Sequence, residues 1–202
     1  MRYLQTSAEH DVMNSMKYTE EYLKIIDHVY GTYFDATYGF HLQMKELSEQ
    51  EELDTNHLET RHEKISKIHE MSFKPLSYGI EGEEAVEHSV TIRDYKARNW
   101  PDDGTNYQWA AKMTLVTIYE FWEERYRELI AKERGLNSKD DLKINEFGEL
   151  GYFRNAILHN LGVGTKDFKR MKVFTWFNYH EEIRLDTVKI SFIVKALKQA
   201  LS

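Results

Sequence analysis

Residues 144–164, INEFGELGYFRNAILHNLGVG, place an arginine inside an apolar helical stripe, and that conflict constrains the chain more than any other feature of it. On an α-helix each residue advances about 100°, so positions three, four and seven apart share a face. Ile144, Phe147, Leu150, Ile157, Leu158 and Leu161 then form one stripe, with Arg154 near its middle. A guanidinium stays protonated at any working pH, so one that points toward a core demands a carboxylate, a dipole or a phosphate. The fold must therefore bring such a partner to it. His159 falls about 140° further round the helix, at the edge of the stripe, with Asn155 one turn below it. That spacing lets the Asn155 amide reach the imidazole, and Gly148 and Gly151 leave room for another helix or a ligand.

The run Arg154-Asn155-Ala156-Ile157-Leu158-His159-Asn160, late in an amphipathic helix and closed by Gly162, resembles the R-x(4–6)-H signature of the HEPN superfamily. The resemblance covers residues 104–202 and implies an all-α fold, an antiparallel helical bundle. It also implies a metal-independent ribonuclease of the kind found among toxins and abortive-infection effectors, with no cofactor. The expected assembly is a homodimer with the motif helices facing each other. An acidic residue on the preceding helix often joins the site in this superfamily, and Tyr119-Glu120-Phe121-Trp122-Glu123 resembles such a segment. An antitoxin or other regulatory protein is the expected partner. Adenylyl-transferring antitoxins modify a tyrosine two residues after the histidine, where this chain has Leu161.

Composition sets limits on this reading. The 202 residues suit one domain, and 41% hydrophobic content suffices for a core, but no apolar run reaches membrane-spanning length. The N-terminus lacks the charged-then-apolar pattern of a signal peptide, so a cytoplasmic location is the default expectation. With no cysteine, disulfide scaffolds, thiolate zinc sites and cysteine nucleophiles are excluded. The net charge of −7 argues against phosphate binding by a broad lysine surface. RNA contact must then rest on a local patch, for which Lys166, Lys169, Arg170 and Lys172 are the candidates. A short charged run of this kind is equally well explained as a solvated loop.

Along the chain, apolar residues from Ala8 through Val12, Met16, Tyr22, Ile26 and Tyr30 predict a helix ending at Gly31. A second run takes in Phe40, Leu42, Met44 and Leu47, and a third spans Leu53 to Met71. His57, His62 and His69 lie in that polar third run, where an exposed helix face accounts for them and no metal site is assigned. Pro75 and Pro101 bracket an irregular insert with Gly79, Gly82 and an acidic Glu81, Glu83, Glu84 cluster. Val86, Val90 and Ile92 fit a strand or a helix there, in a surface connection or a lid. Three regions follow: a helical flank (1–74) packed on the same bundle, the insert (75–103) and the HEPN-like core (104–202).

The strongest helical pattern outside the motif runs from Asn106 to Arg134 and stops at Gly135. Glu123 shares its apolar side with Val116 and Ile130, whereas Glu120 and Glu124 point further out, so helical phase pairs Glu123 with Arg154. That pair serves a site or serves stability alone. Beyond the motif, Lys172 to Phe177 and Glu182 to Leu185 predict a small β-hairpin turning at Asn178-Tyr179-His180. Asp186 or Thr187 caps a final helix.

RNA carries its own nucleophile, so its cleavage needs a proton acceptor for the 2′-hydroxyl, a proton donor for the leaving 5′-oxygen and positive charge at phosphorus. On this expectation His159 is the general acid/base, Arg154 the phosphate clamp, Asn155 the orienter and Glu123 the positioner of Arg154. The rival expectation is a non-catalytic helical module that binds RNA, a nucleotide or a protein partner, which the acidic balance favours.

Overall fold

The computed structural model describes residues 16–79, 86 and 88–202. The start of the first predicted helix, with Ala8 and Val12, and the acidic Glu81, Glu83, Glu84 cluster with Gly82 lie outside the described residues. The described chain is mostly helical. Its helices are α1 (Lys17–Thr55), α2 (Arg61–Ser72), α3 (Ile92–Arg98), α4 (Thr105–Phe121), α5 (Arg127–Glu133), α6 (Asn145–His159) and α7 (Thr187–Leu201). One antiparallel pair, β1 (Pro75–Tyr78) and β2 (His88–Thr91), is the two-stranded sheet. Among the described residues, no helix is long and apolar enough to cross a membrane. The described residues fall into two compact units, one of 16–33 with 111–202 and the other within 34–110.

The predicted stop at Gly31 is not used. Helix α1 continues through Gly31 and Gly39, whose missing side chains face open space, and merges the first two predicted runs with the start of the third. Each glycine in a helix interior costs about 1 kcal/mol against alanine, a weak penalty that packing overrides. The third run is broken instead at Thr60. Its hydroxyl accepts the Glu63 N–H while the Glu63 carboxylate accepts the Thr60 N–H, a reciprocal cap that starts α2 afresh.

In the unit spanning 34–110, side chains from successive elements tie back to α1. The Tyr95 hydroxyl donates to Gln43 at 2.6 Å, the Tyr107 hydroxyl donates to the Thr37 carbonyl at 2.9 Å, and Lys96 pairs with Glu51 at 2.6 Å. The insert resolves its ambiguity in both directions. Val90 lies in β2, in register with Leu76, and Ile92 begins α3 behind a Thr91 cap. His57, His62 and His69 are exposed, on α2 or just before it.

The other unit is built on an aromatic core. Tyr22 of α1 packs on Trp122, Tyr126 and Phe147, and Trp122 stacks on Phe147 with ring centroids 4.0 Å apart. The N-terminus of α1 is capped from α5, where the Glu133 carboxylate accepts the Tyr18 and Thr19 N–H groups and the Thr19 hydroxyl. Between α4 and α5 the helix widens into one π turn, Trp122–Tyr126, closed by the Arg127 N–H on the Trp122 carbonyl. The buried residues Ile118, Trp122, Tyr126 and Ile130 recur every four positions across it. On a regular α-helix such steps drift about 40° each. The wider turn absorbs that drift and keeps all four pointing inward.

The predicted hairpin after the motif does not form. Glu149, only 5% exposed, turns its carboxylate onto the N–H groups of Lys172, Val173 and Phe174. Donors committed to a carboxylate cannot enter a ladder. The other half of the expected hairpin pairs with the segment after the motif instead, through a Val163–Glu182 bridge and the Ile183 N–H on the Gly162 carbonyl. Asp186 caps α7, accepting the Lys189 N–H, as the sequence indicates.

Candidate active site

Helix α6 turns Phe147, Glu149, Leu150, Gly151, Phe153, Ala156 and Ile157 inward. Arg154 therefore lies at the margin of the packed face rather than within it, with its side chain 26% exposed. The outer end of the predicted stripe is corrected as well. Leu158 is half-exposed and Leu161 is 96% exposed, because the helix ends at His159 and the backbone turns left-handed at Leu161, with φ of 53°.

The guanidinium is held from two sides. Its Nε donates to Glu120 Oε1 at 2.6 Å, and its Nη1 donates to Asn155 Oδ1 at 3.2 Å and to His159 Nε2 at 3.0 Å. An arginine offers only donors, so Nε2 of His159 must accept. In this arrangement the imidazole is neutral with its proton on Nδ1. The Asn155 amide oxygen accepts from Arg154, and the link between Asn155 and His159 passes through the guanidinium. The structure thus brings Arg154, Asn155 and His159 together around one nitrogen.

Glu123 is not the partner of Arg154. Its carboxylate accepts from Arg127 at 2.9 Å and from Lys139 at 2.9 Å, one helical turn and one loop away. Glu120 occupies the expected place, because Tyr119 and Glu120 precede the π turn and keep the phase of α4, while Glu123 lies within the widened segment. Burial pushes the Glu123 carboxyl up, but the bonds from Lys139 and Arg127 outweigh it and hold the group below its ordinary range. Gly151 brings the two helices close, since a side chain there would begin about 3.0 Å from the Tyr119 ring. Burial, with the Glu123 carboxylate nearby, raises the Tyr119 phenol above its usual value.

Three of the four basic candidates divide between two depressions. A cleft of about 460 Å³ beside the N-terminal half of α6 is lined by Arg170 and Lys172, together with Tyr119, Gly148 and Tyr152. A shallower groove of about 510 Å³ at the other end of α6 holds His159, Asn155 and Lys166. Lys169 sits over the Tyr179 ring, 5.1 Å from its centroid. Lys166 through Arg170 form a 3₁₀ turn, in which residues three apart eclipse, so Lys166 and Lys169 share a side that Arg170 leaves.

Two features of the site escape a reading of the sequence. Helical phase alone favours Glu123 over Glu120, although the four-residue spacing of Ile118, Trp122, Tyr126 and Ile130 is itself a signal of a widened turn. Tyr179 and His180 line the groove with His159, and nothing in their local pattern announces it. Comparison of the chain with protein-family models, curated proteins and solved structures finds no match, so the geometry of its own residues carries the functional reading.

Proposed function

We propose that this chain is a metal-independent endoribonuclease of the HEPN kind, cleaving RNA by attack of the 2′-hydroxyl and leaving a 2′,3′-cyclic phosphate. The observation that carries the reading is the guanidinium of Arg154, anchored at Nε by Glu120 and turned at Nη1 to Asn155 and His159. An anchored guanidinium next to a neutral imidazole supplies two of the three needs of the reaction, positive charge for the phosphorane and a base that exchanges protons near neutral pH. Arg154 clamps the phosphate, His159 takes the 2′-hydroxyl proton, Asn155 orients the pair and Glu120 positions Arg154. Lys166, in the same groove, attracts the RNA backbone. On this reading the chain acts as a toxin or defence effector, as a homodimer held in check by a partner protein.

Purified protein incubated with total RNA, tRNA and matched DNA in excess EDTA tests this. RNA alone is cleaved, the products end in cyclic phosphate, and His159→Ala abolishes the reaction. Cleavage that survives replacement of both Arg154 and His159 by alanine rules the reading out. The absence of cleavage by folded protein favours the binding module to which the net charge of −7 points.

A further inference from the structure

The groove at the end of α6 holds a second histidine. The turn Asn178-Tyr179-His180-Glu181 is pinned against the segment that follows the motif helix, with the His180 N–H on the Gly164 carbonyl at 2.9 Å and the Gly164 N–H on the Glu181 carbonyl at 2.8 Å. Only a glycine permits this approach, because a side chain on residue 164 would collide with the Asn178 carbonyl oxygen. Within the turn the Glu181 carboxylate accepts the Asn178 backbone and amide N–H groups at 2.9 and 3.1 Å. His180 itself is exposed and adopts φ of 67°. That left-handed conformation favours glycine and disfavours any residue with a Cβ. The surrounding hydrogen bonds hold this conformation in place. The Tyr179 ring lies against the imidazole, tilted by 38° with ring centroids 3.7 Å apart. The groove they share with His159 also contains Lys166 and Thr165, whose hydroxyl is buried without a hydrogen-bond partner among the described residues.

From this juxtaposition we propose that His180 is the proton donor that completes the site, so that a single chain carries both an acid and a base. The proposal rests on the ribonuclease reading of the same groove and adds the residue which that reading lacks. His159 serves as the base once Arg154 Nη1 turns from its Nε2 to the phosphate, which frees that lone pair for the 2′-hydroxyl proton. The 2′-oxygen gives its proton to His159 and bonds to phosphorus as the bond from phosphorus to the 5′-oxygen breaks. The leaving 5′-oxygen takes a proton from the His180 imidazolium. One proton is gained by His159 and one is lost by His180, and solvent restores both. Charge at phosphorus is met by Arg154 and Lys166.

The substitution His180→Gly separates chemistry from folding, because glycine relieves the backbone while deleting the imidazole. Its melting temperature equals or exceeds that of the parent chain. On an oligoribonucleotide its cleavage rate falls about 100-fold or more, the usual contribution of a general acid. On the same oligonucleotide with sulfur in place of the bridging 5′-oxygen at the cleaved linkage, His180→Gly regains the parental rate, since a thiolate departs without a proton. His159→Ala remains inactive on both. Co-expressed His159→Ala and His180→Gly chains, purified together, do not restore cleavage, because neither chain holds the pair.

Unchanged cleavage of the ordinary substrate by His180→Gly overturns the proposal alone. An equal loss on the oxygen and sulfur substrates also overturns it and makes His180 a positioning residue. Restoration by the mixed chains overturns the one-chain arrangement. If the parent chain cleaves no RNA, the ribonuclease reading fails first and takes this one with it.

Discussion

Two glutamates three residues apart on neighbouring turns have different work, and their substitutions separate it. Glu120 holds the guanidinium of Arg154 by one short bond, so Glu120→Gln leaves the fold in place and loosens the clamp. Its kcat falls about 10- to 100-fold, the scale of a small misplacement of a catalytic group, while its melting temperature stays close to that of the parent. Glu123→Gln does the reverse, with cleavage near the parental rate and a stability loss of about 1 kcal/mol, for a half-buried pair that is partly screened by solvent. Because the folded Glu123 carboxyl titrates below its ordinary range, its contribution is fully present above the unfolded value of about 4.3 and is lost as pH falls through the lower folded value. Chemical denaturation across that acid range shows the parent losing the increment that Glu123→Gln never had. Equal activity losses in the two variants would sink the division of roles.

At the scale of elements, the segment after the motif is shaped by one buried carboxylate rather than by β propensity. Glu149 satisfies three successive backbone N–H groups and so fixes the loop 172–174 against α6. Glu149→Ala leaves those donors without a partner at a cost of about 3 kcal/mol or more. Hydrogen exchange at Lys172, Val173 and Phe174 accelerates ahead of exchange in the core of α6, and unchanged protection there would refute this role. Neighbouring elements differed in how far they could be read. The Asp186 cap of α7 and the start of α6 were legible because a cap and a periodic face are local patterns. The hairpin was not, since Lys172 to Phe177 carries the residue types of a strand and only Glu149, more than twenty residues away, diverts its donors. Likewise the π turn is local in its spacing, yet its effect on which glutamate meets Arg154 depends on another helix.

For the molecule as a whole, a net charge of −7 coexists with four basic residues clustered just after the motif helix, which makes salt dependence the measurement of choice. If Lys166, Lys169, Arg170 and Lys172 all contact phosphate, the logarithm of RNA affinity falls with that of salt concentration with a slope of about −3 from these residues alone. Replacing all four by glutamine removes that slope and leaves melting behaviour unchanged, as measured by fluorescence anisotropy over a salt series. Only a partial fall in slope means that the residues split as they do in the fold, Lys166 toward His159 and Arg170 with Lys172 toward the cleft at the other end of α6. The sequence by itself determined that this chain is helical, where α4 begins and α5 ends, that the motif helix carries Arg154, Asn155 and His159, and that a carboxylate, a dipole or a phosphate must meet the arginine. These follow from periodicity, caps and the energetic demand of a fixed charge, all of which act over a few residues. The tertiary structure alone decided that this partner is Glu120, that Leu158 and Leu161 face outward, and that His180 joins His159 in one groove. Those outcomes depend on a widened helical turn, a left-handed helix end and a glycine-permitted backbone approach, each of which takes its meaning from a segment distant in sequence.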